Sequence, residues 1–163
     1  MRTTSESSYD PAPLQWVSGE IEHSLVKARE NFDILSANPG DANAIQSVAT
    51  DLHQVTGALL MVGLDAAARL SEETEKLVDT FKGGVPADVA KHALIARHST
   101  VSLSKYLEGL VAGNADRPME LAASYVMLNK ARGASDASAS DLFSPDLNAA
   151  YPHPGEDDES PPE

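Results

Sequence analysis

From Leu14 to Leu128 the apolar residues return every three or four positions and never settle into alternation. That regularity is the strongest constraint on the chain, because a three-to-four repeat builds one sticky stripe along a helix and cannot line one face of a strand. Five such stripes can be written down. Leu14, Val17, Ile21, Leu25, Ala28, Phe32 and Leu35 form the first, and Ile45, Val48, Leu52, Val55, Leu59 and Val62 the second. Ala67, Leu70, Thr74, Leu77 and Phe81 form a third, and Val89, Ala93, Ala96, Thr100, Leu103, Leu107 and Leu110 a fourth. Leu121, Tyr125 and Leu128 make a shorter fifth. Helix breakers stand between them: Asn38-Pro39-Gly40, Gly63, Gly83-Gly84 and Gly113-Asn114. The spacing predicts helices over 13–37, from the N-cap Asp41 to about Gly63, then 65–82, 86–112 and 117–131. Connections this short between amphipathic helices imply an all-α, antiparallel helical bundle.

The rest of the chain reads differently. Residues 1–10 are rich in Ser and Thr and are expected to be loose. The bundle should occupy 11–132. From Gly133 to residue 163 the composition turns to Ala, Ser, Asp and Pro, an acidic linker by composition, with one apolar island at Leu142-Phe143-Ser144-Pro145-Asp146-Leu147. Ending inside such a linker gives the chain the look of the N-terminal portion of a longer protein. The formal net charge is -13, and eight of the acidic residues fall from Gly133 onward, where there is no Lys or Arg. An acidic chain of this kind argues against nucleic acid and against an anionic membrane surface as partners. With no cysteine there is neither a disulfide nor a thiolate metal site. Residues 1–13 have no apolar leader and no run approaches the ~20 apolar residues of a membrane span, so a cytoplasmic protein is expected.

Few residues offer chemistry. No two of the five histidines stand at the i, i+4 spacing that builds a metal face, and there is no phosphate-cradling glycine loop or nucleophile elbow. No metal site and no bound cofactor are therefore expected. His23 and His98 fall on outer helix faces, His92 borders a stripe and His153 is in the tail. Glu72, Glu73, Glu75 and Asp79 read mostly as the solvated face of the third helix.

His53 is the exception. At about 100° per residue it projects ~130° from the centre of the second stripe. Gly57 follows one turn later, nearly opposite the stripe, then Met61, with Thr56 and Leu60 alongside. A glycine inside a helix costs about 1 kcal/mol relative to alanine. An outer face carrying an imidazole, a bare backbone patch and a thioether therefore points to a partner that docks there and reaches the ring.

The run His53, Val55, Thr56, Gly57, Ala58 and Gly63 resembles the histidine-phosphotransfer (Hpt) domain. That family has a histidine followed by an apolar residue at +2, Lys at +3, Gly at +4, a small residue at +5 and a helix-ending Gly at +10. Thr56 is the one departure, a hydroxyl where the family has a charge. The resemblance implies a four-helix bundle, here with an extra C-terminal helix, and a phospho-accepting His53. Chemotaxis-kinase phosphotransfer domains also carry a glutamate on the next helix that bonds the histidine Nδ1, and the matching residue is Glu75. Over a longer span the chain is similar to the N-terminal region of ChpA/PilL hybrid kinases, which serve the chemotaxis-like system of type IV pili. Leu14-Gln15-Trp16-Val17-Ser18-Gly19-Glu20-Ile21, the His53 core with Leu60-Met61-Val62, Ser71-Glu72-Glu73 with Glu75, and residues 142–147 carry that likeness. The pilus scaffold FimL resembles the same region and is understood as a relative that takes no phosphate.

Two functions follow as expectations. In the first, His53 exchanges a phosphoryl group with a receiver-domain aspartate or the kinase core of the same protein. Mg²⁺ would be supplied by the receiver, and Gln54, Thr56, Gly57, Leu60, Met61 and Leu64 would form the docking face. Such a domain positions a nucleophile in twitching-motility signalling and is not an enzyme on its own. In the second, the bundle is a FimL-like scaffold that recruits pilus or polarity proteins without phosphotransfer.

Overall fold

The computed structural model describes residues 9–133, and they form an all-helical bundle. Helix α1 is Ala12–Ala37, α2 Ala42–Met61, α3 Asp65–Asp79 and α4 Pro86–Val111. A 3₁₀ turn, Pro118–Leu121, leads into α5, Ala122–Ala131. The first four helices pack as a ring in which each touches the next and α4 closes on α1, while α5 lies against α3 and α4. The expected linker, its apolar island at 142–147 and His153 lie outside the described residues, as do residues 1–8.

The five stripes meet in one core. Leu14, Leu25, Phe32 and Leu35 of α1, Leu52 and Leu59 of α2, Leu70 and Leu77 of α3 and Leu103 and Leu110 of α4 are all essentially inaccessible to solvent. Burying each such side chain is worth about 1.5–3 kcal/mol. This packing, more than local propensity, is what holds the helices.

The helix ends follow from particular residues. Asp41 caps α2, its carboxylate accepting from the Ala44 backbone N–H at 3.0 Å. At the other end Gly63 takes the left-handed conformation, φ +78°. The Leu64 N–H then reaches the Leu59 carbonyl at 3.0 Å and the Gly63 N–H the Leu60 carbonyl at 3.1 Å. That is a Schellman closure, and its apolar contact places Leu64 back on the core. Two expected boundaries differ. Helix α3 stops at Asp79 and not at 82, because the Thr80 and Phe81 N–H groups turn to carbonyls three residues back. The fifth helix opens as a 3₁₀ turn, Pro118–Leu121, in which the Glu120 N–H bonds the Arg117 carbonyl three residues back.

Polar groups also brace the bundle. Glu73, expected in solvent, is buried: its carboxylate accepts from Lys76 at 3.0 Å and from Arg132, beyond α5, at 2.8 Å. Tyr9, expected to be loose, donates to the Val62 carbonyl at 3.0 Å. Its neighbour in charge is Asp116, which in turn accepts from the Tyr106 hydroxyl. Burial pushes the Asp116 carboxyl above the ordinary carboxylate value. Burial first, then the charges of Asp116 and Asp10, hold the Tyr9 phenol above its usual range.

Candidate functional site

Helix α2 sits between α1 and α3, and its position decides what each of its side chains can reach. The inner stripe is buried as expected, with Ile45 and Val62 at its margins. Two polar residues flank that stripe on opposite sides. Asp51 turns toward α1 and lies 3.4 Å from the Lys27 ammonium. Thr56 turns toward α3 and is 8% exposed. Only the sector farthest from the core remains open, and it carries His53, Gln54, Gly57, Leu60 and Met61.

The His53 side chain is 85% exposed. Its Nδ1 lies 3.1 Å from Glu75 Oε1 on α3. An ionised carboxylate can only accept, so in the neutral ring this contact assigns the proton to Nδ1 and leaves the Nε2 lone pair unengaged by Glu75. Glu75 is itself mostly covered, its side chain 19% exposed. Its other oxygen, Oε2, accepts from the Thr56 hydroxyl at 2.7 Å. One carboxylate thus joins an exposed ring to a buried hydroxyl.

Gly57 stands one turn beyond His53, and among the described residues nothing outside its own helix backbone lies within 4 Å of where a Cβ would be. No neighbouring helix approaches it, so internal packing gives no reason for the missing side chain. Met61 is 89% and Leu60 56% exposed, forming an apolar rim on the next turn. The other wall of this face comes from α1 and cannot be read from a wheel of α2 alone. Val17, Glu20, Ile21 and Ser24 of α1 line a groove whose opposite side is Gln54, Val55, Ala58 and Met61. Val17 and Ile21 belong to the first apolar stripe, and its edge was the available signal.

Two residues assigned to the docking face are not on it. Leu64 is 2% exposed, because the Schellman closure folds it onto Leu59. Thr56 is buried because α3 covers its side of α2, and its hydroxyl is engaged with Leu52, Ser71 and Glu75. The other histidines stay apart from this site: His23 and His98 are exposed and His92 is half-buried. Among the described residues no three His, Asp or Glu side chains gather as a metal site would require, and no helix is long and apolar enough to cross a membrane.

The match to known proteins bears on this arrangement. The model of the FimL C-terminal domain covers residues 12–126, from the start of α1 into α5. The chain belongs to the FimL C-terminal domain family. The span matching the FimL C-terminal domain contains His53, Thr56, Gly57, Ser71 and Glu75, so the whole candidate site lies within it. No curated protein and no solved structure is significantly similar to the chain.

Proposed function

We propose that this FimL-related domain is a phosphocarrier of the histidine-phosphotransfer type, allied to the N-terminal region of ChpA/PilL hybrid kinases. The observation that carries the reading is the division of labour on one imidazole. Nδ1 is committed to Glu75 at 3.1 Å, while the ring stands 85% exposed on the other side. A neutral imidazole with a free Nε2 lone pair is a nucleophile. In the proposed step Nε2 attacks the phosphorus of an aspartyl phosphate on a receiver domain. The N–P bond forms as the bond to the aspartate oxygen breaks, and that oxygen leaves as carboxylate. The Nδ1 proton stays between the ring and Glu75, whose negative charge steadies the positive charge that develops on the ring. The receiver brings the divalent cation that offsets phosphate charge.

Docking would use His53, Gln54, Gly57, Leu60 and Met61. The bare backbone at Gly57 lets a partner close on the helix, which transfer needs because the reacting atoms must approach to about 3–3.5 Å. The same step run from the kinase core of a parent protein would load the ring in a cytoplasmic pilus-signalling relay.

A second reading has its own support. The family match is to FimL, and the residue at +3 from His53 is an uncharged, buried Thr56. In that reading the same face docks pilus or polarity proteins and no phosphate moves. Incubating the chain with radiolabelled phospho-receivers, beside the His53→Gln variant, separates the two. Acid-labile label on the wild type alone is the expected outcome. No label from any receiver or kinase, together with a stable complex with a pilus-assembly protein, overturns the carrier in favour of the scaffold.

A further inference from the structure

Behind the exposed ring lies a pair of hydroxyls that the transfer step does not touch. Thr56 is 8% and Ser71 1% exposed. Thr56 lies three residues beyond His53 on α2, and Ser71 one turn before Glu75 on α3. The Thr56 hydroxyl has one proton and three acceptors within reach: the Leu52 carbonyl at 3.0 Å, Ser71 Oγ at 2.8 Å and Glu75 Oε2 at 2.7 Å. An ionised carboxylate is the strongest of these acceptors, and it is also the nearest. Ser71 then spends its own proton on the Leu52 carbonyl, at 3.3 Å. The buried backbone oxygen is therefore satisfied without Thr56, whose proton is free for Glu75.

The consequence lies in how Glu75 is held. Its oxygens face opposite tasks, Oε1 toward the imidazole and Oε2 toward Thr56. A glutamate tethered at one oxygen keeps much of its rotamer freedom, whereas one tethered at both does not. A lysine in place of Thr56 would bring a cation that competes with the ring for the same carboxylate. A hydroxyl anchors the carboxylate without neutralising it, so its charge remains available to the Nδ1 proton.

We propose that Thr56, backed by Ser71, is a positioning residue that fixes Glu75 and through it the tautomer of His53. Its use in transfer rests on the phosphocarrier reading, but its effect on the ring does not. The test therefore reads the ring directly, in the full chain labelled with ¹⁵N-histidine, from the ring nitrogen shifts of His53. Wild type is expected to hold the proton on Nδ1. Thr56→Val keeps the side-chain shape and removes the hydroxyl, and the ratio of the Nδ1–H to the Nε2–H form should fall about threefold or more. Thr56→Ser should restore it. Ser71→Ala should move it the same way by less, and carries the test if Thr56→Val does not fold.

A wild-type ratio in folded Thr56→Val, or in Ser71→Ala should that variant carry the test, overturns the proposal. So does a shift that Thr56→Ser fails to rescue, since it would mark a packing effect and not the hydroxyl. A chain that shows these shifts yet never accepts phosphate keeps the positioning role and loses the carrier. A chain that accepts phosphate normally with an unmoved tautomer does the reverse.

Discussion

Replacing Gly57 should push stability and function in opposite directions, and the structure fixes the size of the first effect. Among the described residues an added Cβ at Gly57 meets no atom beyond its own helix backbone within 4 Å, and its backbone is ordinary right-handed helix. Nothing therefore subtracts from the helix-propensity gain, and Gly57→Ala should stabilise the fold by about 1 kcal/mol. For a domain of this size that raises the melting temperature by roughly 4 °C. Gly57→Lys should gain nearly as much, since lysine ranks close to alanine in helices. The lysine side chain then stands on the partner's approach, one turn from His53. A reacting pair displaced by ~1 Å loses about a hundredfold in rate, so Gly57→Lys should slow uptake from a phospho-receiver by at least that much. Gly57→Ala should slow it less. Gly19, mid-way along the first half of α1, also has nothing within 4 Å of a Cβ and lines a different groove, against α4. Gly19→Ala is the control: the same stability gain with transfer unchanged. Thermal melts followed by circular dichroism give the first quantity and label transfer the second. Transfer at the wild-type rate in a folded Gly57→Lys would refute the reasoning, because the bare patch would then serve no partner. A lower melting temperature in Gly57→Ala would refute the other half, that the fold has no need of the glycine.

Two further outcomes concern the frame around the site. Glu73→Gln leaves Arg132 and Lys76 beside a neutral amide and should cost about 2 kcal/mol, read as a lowered denaturation midpoint; an unchanged midpoint would deny that the buried Glu73 carboxylate, through the half-buried Arg132, fastens the end of α5. Asp116, held above the ordinary carboxylate value by burial, contributes stability that is full below that value and is lost as pH rises through the raised one. Asp116→Asn should therefore gain on the wild type in melts from about pH 3 toward pH 7; a difference that shrinks over that range contradicts the sign.

The helical stripes were legible because each is a regular function of one variable, the angle around a helix. The His53–Glu75 pair was legible only through a resemblance, since no rule of spacing within one helix says which residue of the next will reach a ring. The errors have separate causes. A wheel drawn on α2 knows one core direction, whereas α2 has neighbours on both flanks. Thr56 sits at a shoulder of the stripe and is covered by α3, as Asp51, at the other shoulder, is covered by α1. Leu64 misled for a different reason: past Gly63 the chain has left the helix, and the wheel no longer applies to it. Glu73 looked like its solvated neighbours until the residue after α5 supplied a guanidinium, Arg132, a partner 59 residues away that no local window contains.

The openness of the His53 ring has a last consequence, for time. Against residues 9–133 the His53 side chain is 85% exposed, with one ring nitrogen on Glu75. Among the described residues nothing covers that side of the ring, so a phosphoryl group placed there would meet water as an open phosphoramidate does. The bundle could hold a signal but could not clock it. Duration would be set by how fast partners deliver and withdraw the group, which makes their concentrations the tunable quantity in such a circuit.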